Sequence, residues 1–403
     1  MKKILSLIMA MTLAGSIVGC SKSASNEEAQ GVTDTEILIA NSAATSGSYA
    51  PVGVPFNAGL EAYLELINKD GGVNGRKIVF KHQDDEFDPV KGKAMLSQFI
   101  EDEEVFAIVG HFGTPVVGAT IQDLKDSEIP AVYFATGIGQ LYSDDAEADN
   151  MKNIFPVQPI YITEGQIMVA RAVGDFKAKK LGIIYTNDDA GKDILNGAEA
   201  KAKELGVELV AEQVTAGATD VSSAVTTIKN ADVDFIVLGS IQATFPTIVK
   251  ELAAQGVDKD VITTYVNVSP VSAQAVVNEI KGKFDVYGNG WVSFEGERAE
   301  ALAQFMEYCP DYADNVYAMT GWIAAHFFVE GLKRVEGTIT WDKYIEAMEA
   351  EPIKNPFGGE INFADGLRAG TQEMNLSKIN HENVQGEWIA VDGLKAMDSI
   401  LGK

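Results

Sequence analysis

Short apolar runs alternate with longer amphipathic stretches along most of the chain. Residues 37–40 read as a strand and 41–54 as a Ser/Gly/Ala/Pro loop. Phe56, Leu60, Tyr63, Leu64 and Ile67 then share one helix face at three- and four-residue spacing. Gly71 and Gly72 stop that helix. A second strand at 78–80 runs into Asp84, Asp85 and Asp88, and Asp88-Pro89 is a helix start, with Asp as cap and Pro in the first turn. The unit repeats as strand 105–109, loop 110–115, a helix to Lys125 and strand 131–134.

Beyond Phe155 the rhythm restarts: helix 161–176, strand 181–185, a helix after Gly191, strand 208–214, helix 221–230, strand 235–238, helix 244–255 and strand 261–264. Strands alternating with helices imply α/β architecture, with parallel sheets covered on both faces. Two such runs, in a chain of 403 residues, imply two doubly wound lobes. The last third departs, with a strand at 284–287, a long helical pattern at 316–335 and short strands at 360–363 and 387–391. If that helix packs on the first lobe and those strands join the second, the chain passes between lobes three times and forms a hinge. The expected division is 32–155 and 288–355 for lobe one, 156–287 and 356–403 for lobe two.

At the start of the chain, Lys2 and Lys3 precede an apolar stretch over 4–18, too short for the roughly twenty residues that span a bilayer. Residues 1–19 therefore read as a signal peptide. Ile17-Val18-Gly19-Cys20 resembles a bacterial lipobox, so Cys20 is the expected lipidation site and 20–31 a polar tether. An ordinary secretory peptide that contains a cysteine is the alternative. Cys309 is the one other cysteine, which leaves no intramolecular disulfide once Cys20 carries lipid. The 58 acidic against 32 basic side chains repel phosphate backbones and anionic membrane surfaces, so nucleic acid is not an expected partner.

Ligands in open parallel sheets bind beyond the carboxyl ends of strands, where backbone N–H groups and helix N-termini point outward. In lobe one those loops hold Ser46, Gly47 and Tyr49, then His111, Gly113 and Thr114, then Ala135 and Thr136. In lobe two they hold Asp188 and Asp189, Gln242, and Asn267. The first set, rich in hydroxyls and bare amides, suits a carboxylate or carbonyl group. Each has a plainer use: Ser and Gly serve turns, Tyr49 serves as a surface aromatic, and His111 serves equally as a satisfied structural histidine. Asp84, Asp85 and Asp88 read as caps rather than as a carboxylate cluster. No Gly-x-Ser-x-Gly elbow, Gly-x-Gly-x-x-Gly turn or i, i+4 histidine pair occurs, so no catalytic residue, metal or cofactor is expected.

Ser46-Gly47 with Gly53 and Gly59, Ile67-Asn68 before Gly71-Gly72-Val73-Asn74-Gly75-Arg76-Lys77-Ile78, then Asp84-Asp85 and Asp88-Pro89, resemble the branched-chain amino acid (leucine-type) substrate-binding proteins of ABC transporters. Ile129-Pro130, Phe155-Pro156, and Gly217 with Thr219-Asp220 continue the resemblance in order. It implies a type I periplasmic binding fold with three hinge strands, a monomer, an ABC permease as partner, an extracytoplasmic location and binding of a small polar solute without catalysis. A sensory receptor and a secreted hydrolase are the other readings. The family's lobe-one loops hold the solute's carboxylate and fall here at Ser46-Gly47, Gly113-Thr114 and Ala135-Thr136. Three positions depart: the usual aromatic is Val52, the lobe-two tyrosine is Ala190, and the acid for an ammonium falls at Asn267. Either Asp188 or Asp189 supplies that charge or the solute is not an α-amino acid, because an unpaired buried ammonium costs several kcal/mol.

Overall fold

The computed structural model describes residues 27–293 and 298–403; the leader, Cys20 and the tether to residue 26 lie outside the described residues. The first run is β1 (Glu36–Ala43), α1 (Ala50–Lys69), β2 (Lys77–Asp84), α2 (Pro89–Glu101), β3 (Ala107–Phe112), α3 (Thr114–Ser127), β4 (Ala131–Ala135) and β5 (Ile154–Phe155). The second is α4 (Tyr161–Gly174), β6 (Lys180–Thr186), α5 (Asp189–Leu205), β7 (Glu208–Val214), α6 (Ser222–Asn230), β8 (Phe235–Gly239), α7 (Thr244–Ala254), β9 (Val261–Thr263), α8 (Pro270–Ile280) and β10 (Val286–Gly290). There follow α9 (Arg298–Tyr308), α10 (Val316–Lys333), α11 (Trp341–Ala350), β11 (Ile353–Lys354), β12 (Glu360–Ile361), β13 (Glu373–Ile379), β14 (Trp388–Ala396) and α12 (Met397–Leu401).

Lobe one is a five-stranded sheet in the order β2-β1-β3-β4-β5, parallel throughout. Every residue of β3 is buried, as a parallel strand covered by helices on both faces must be. Lobe two is a seven-stranded sheet, β14-β13-β10-β9-β8-β6-β7, parallel from β10 to β7 with β13 and β14 added antiparallel. The alternation of the sequence therefore folds as two doubly wound lobes. β13 escaped the sequence pattern because Asn375, Ser377 and Lys378 interrupt its apolar positions; its partners on both sides make it a strand.

Helix α10 returns to lobe one and lies backbone to backbone on α1. A Cβ on Gly59 would stand 1.8 Å from Ala318 O, and one on Gly321 1.8 Å from Phe56 O. The small residues allow this approach, and Trp322 beside them packs edge-on against Tyr63 with ring centroids 4.9 Å apart.

The chain passes between lobes three times: at 156–160, after β10, and at 367–372. The last passage lies beyond the 355/356 division drawn from sequence, because residues 353–366 pack on α10 and α11 of lobe one. Buried Arg368 fixes it there, donating to the carbonyls of Phe363, Leu367 and Lys152, pairing with Glu349, and covering the Phe155 ring at 4.6 Å. Residues 288–290 stay in the lobe-two sheet as part of β10. The end of the tether also belongs to lobe one: Glu28 pairs with Arg76 at 2.7 Å and accepts from Ile339 N, and Gln30 donates to Val105 O.

Candidate functional site

The carboxyl ends of β1, β3 and β4 face those of β8 and β9 across an interlobe cavity. Lobe one lines it with the first turn of α1 (Tyr49, Val52, Phe56), with Phe87, with the β3–α3 turn (Phe112, Gly113, Thr114), with Ala135, and with the start of α10 (Val316, Tyr317, Thr320). Lobe two supplies Tyr161, Ile241, Gln242, Tyr265 and Val266, while Gln158 and Trp291 come from two of the passages between lobes. The lobes touch outside it too, where Gly139 N donates to Asp193 Oδ2 at 2.6 Å. The cavity measures about 70 Å³, on a scale where one water needs ~10–15 Å³.

Aspartates at the end of β2 build the lobe-one wall. Asp84 accepts from the N–H groups of Thr45, Ser46 and Glu86, which ties the first loop to the second. Asp85, buried and pushed up to about 6 by that burial, accepts from Phe87 N. Asp88 caps α2 through Val90 N and Lys91 N. Phe87 is thereby held at φ 64°, and its ring stacks on Tyr49 at 3.7 Å. The three acids act as caps and loop anchors, which is the sequence expectation for them.

Of the candidates read from sequence, Tyr49, Gly113, Thr114, Ala135 and Gln242 line the cavity. Thr136 is one layer behind, its hydroxyl 2.8 Å from that of Thr114 and accepting from Ile138 N. Ser46 and Gly47 are exposed, turned outward by the Asp84 bonds. His111 faces α3 instead: its Nε2 is 2.8 Å from Thr120 Oγ1, and complete burial depresses the imidazole to about 4, which leaves it neutral. Asp188 caps α5, accepting from Gly191 N and from the Thr186 hydroxyl. It lies close enough to Tyr49 to help burial push that phenol to about 12. Asp189 is exposed in the first turn of α5. Asn267 spends its amide on scaffolding, donating to Ser240 O and Thr263 Oγ1 and accepting from Gln242 N. Asp188 borders the cavity through Tyr49, Asp189 does not line it, and among the described residues the lining holds no Asp, Glu, Lys, Arg or His.

Sequence reading missed Tyr265, just beyond the end of β9, and four residues from passages and helix starts: Gln158, Tyr161, Trp291 and Tyr317. Gln158 Nε2 reaches the Tyr133 hydroxyl at 2.6 Å, and its Oε1 accepts from the Tyr265 hydroxyl at 3.1 Å. The Tyr161 phenol lies against the hydroxyls of Thr114 and Thr136. Behind Tyr265, wholly buried Glu164 accepts from Tyr265 N at 2.8 Å and from Thr264 Oγ1 at 2.6 Å, with Asn289 Nδ2 at 3.4 Å. Burial raises its carboxyl to about 7 against the effect of those donors.

Two parallel-sheet lobes joined by three passages, with a cavity between them, have a counterpart among known families. The model of the periplasmic binding protein family matches residues 36–385. The chain belongs to that family. A periplasmic binding protein works outside the cytoplasm, and no helix of the described residues is long and apolar enough to cross a membrane. Leu/Ile/Val-binding protein homolog 2 of Brucella abortus is 24% identical over 339 residues, 83% of this chain and 87% of that one. A branched chain amino acid ABC transporter protein from Thermus thermophilus with bound valine superposes with TM-score 0.78 at 16% identity, over 92% of this chain and 99% of that one. A fatty acid ABC transporter substrate-binding protein from Thermomonospora curvata gives TM-score 0.77 at 20% identity, over 93% and 96%. At these identities the likeness is one of fold, and the fold accommodates both valine and a fatty-acid carrier.

Proposed function

We propose that this chain is the solute-capturing receptor of an ABC import system, held at the outer face of a membrane by lipid on Cys20. It encloses one small solute between its lobes and delivers it to a permease without altering it. The cavity carries this reading, since its walls come from both lobes and two of the passages and become complete only when the lobes meet. An open groove contacts one side of a solute; enclosure by both lobes lets about nine heavy atoms reach micromolar affinity, roughly −0.9 kcal/mol per atom. The closed form also presents the permease with a surface that the open form lacks.

A thermal-shift screen over amino acids, carboxylates, amides and sugars tests it, because a solute that binds only the folded state raises Tm. A hit is expected to reduce the radius of gyration in solution scattering and to be recovered chemically unchanged. Lobes that stay apart with every solute, or turnover abolished by one cavity substitution, would refute it. Cys20→Ser is expected to move the protein from the membrane to the soluble fraction. Its retention on the membrane would remove the lipid anchor from the proposal.

A further inference from the structure

The loop between β2 and α2 sends a single side chain into the cavity, and it does so through an unfavourable backbone. Glu86 at φ 54° and Phe87 at φ 64° are consecutive left-handed residues, neither of them glycine. Side chains of this size adopt that region only under constraint from their neighbours. The constraint is on both residues: Glu86 N donates to Asp84 Oδ1 at 3.0 Å, and Phe87 N to Asp85 Oδ1 at 2.8 Å. Asp88, next along, is committed to capping α2. The loop is thus built to turn one ring inward while Glu86 beside it stays exposed.

That ring fills space that the other loops leave for it. It stacks on Tyr49 with 12° between planes and meets Phe112 edge-on at 6.3 Å. A Cβ on Gly113 would stand 2.5 Å from its Cε2, so the phenyl edge lies where any larger residue would place its side chain. Phe56 and Phe112 are buried, whereas Tyr49 and Phe87 line the same cavity and keep part of their surface in solvent. Tyr49 is also within electrostatic reach of Asp188 in lobe two. The stacked pair therefore stands at the seam between the lobes, where the cavity meets the exterior. The cavity it borders, about 70 Å³, has room for about five to seven waters at ~10–15 Å³ each.

Resting on the receptor reading above, we propose that Phe87 sets the length of solute that the cavity accepts, forming with Tyr49 the outer wall against which the solute's hydrocarbon end stops. The restriction is steric, so it acts on chain length whatever polar group the solute carries. Phe87→Gly removes the wall and spares the loop, since glycine takes φ 64° freely and keeps the N–H that Asp85 accepts. Phe87→Leu keeps an apolar side chain but withdraws the far edge of the ring.

Two homologous series provide the test: straight-chain carboxylates from propionate to octanoate, and straight-chain α-amino acids from alanine to norleucine. Each is titrated by calorimetry into wild type and both variants. Wild type is expected to lose affinity beyond one member of a series. Phe87→Gly is expected to bind the members beyond that point about tenfold more tightly than wild type does, with Phe87→Leu between the two. An unmoved cut-off in Phe87→Gly would overturn the proposal, as would one change in affinity shared by all lengths, or a panel in which no protein binds any member. If Phe87→Gly does not fold, the cut-off of Phe87→Leu decides in the same way. Scattering separates this failure from that of the receptor: closure of wild type around a member, with the cut-off unmoved in the variants, would remove Phe87 from solute selection and leave the receptor standing.

Discussion

The Tyr265 hydroxyl of lobe two donates to Gln158 Oε1 at 3.1 Å, while the amide of the same glutamine donates to the Tyr133 hydroxyl of lobe one at 2.6 Å. One side chain in the first passage thus joins both lobes beside the cavity. Tyr133 is held for the task at φ 62° in the middle of β4, across from Gly110 at φ 77°. A bulky residue keeps such a backbone only where its surroundings over-determine it. Here the ring is enclosed between Phe56 and the start of the passage.

Gln158→Leu removes both bonds and leaves two tyrosine hydroxyls buried without their partner. Each orphaned group costs about 1–3 kcal/mol, and the cost falls mainly on the closed state. Solute affinity is expected to drop at least tenfold while the ligand-free Tm changes little. A fall in Tm with unchanged affinity would mean that the glutamine stabilises the fold and not closure.

Thr114→Val exchanges a hydroxyl for a methyl in the cavity wall. It also strips Thr136 and Tyr161 of a neighbour to bond with. Binding is expected to weaken by about 1–3 kcal/mol, with Thr136→Val weaker in effect because that residue acts through Thr114. Calorimetry on both variants decides, and equal affinities for wild type and Thr114→Val would remove the threonine from the site.

Glu164 makes stability fall as pH rises. Its carboxyl titrates near the ordinary 4.5 when unfolded and near 7 in the fold, so the folded chain holds the proton more tightly. The contribution is complete below 4.5, is lost through the window to 7, and amounts to about 3 kcal/mol. Asp85, raised to about 6, acts in the same direction at lower pH, and His111, lowered to about 4, opposes both. Glu164→Gln isolates the effect, since the amide mimics the protonated acid and can donate to the unpartnered Asn289 Oδ1. The Tm of wild type is expected to fall below that of the variant at pH 8 and to match it at pH 5. Parallel Tm curves for the two proteins would show that Glu164 is ionised throughout.

Gly59→Ala places a methyl group inside contact distance of Ala318 O, where neither backbone has a flexible end to move. Overpacking of this kind costs about 1–3 kcal/mol. The midpoint of urea unfolding is expected to fall with an unchanged slope. An unaltered midpoint would mean that α1 and α10 separate without cost.

Local chemistry explains what could be read along the chain. Asp88-Pro89 announces the start of α2, and apolar runs such as 235–238 and 261–264 announce buried parallel strands, because caps and alternation act over a few residues. Gly113, Thr114 and Ala135 were legible as cavity wall because strand ends place ligand loops whatever the details. Ser46 and Gly47 stand outside the cavity wall because Asp84, nearly forty residues away, holds that loop. Asp188 and Asp189 do not line the cavity, because capping of α5 uses the first and leaves the second exposed.

By itself, then, the order of apolar and polar residues determined two doubly wound lobes and the passages between them, since these follow from periodicity and local caps. The tertiary structure alone decided what the cavity is made of. Gln158, Tyr161, Tyr265, Trp291 and Tyr317 stand far apart along the chain and meet only in the folded protein, so their joint donors and acceptors exist in no single segment. The reason is geometric: a pocket formed between two bodies takes its chemistry from surfaces that no local pattern relates.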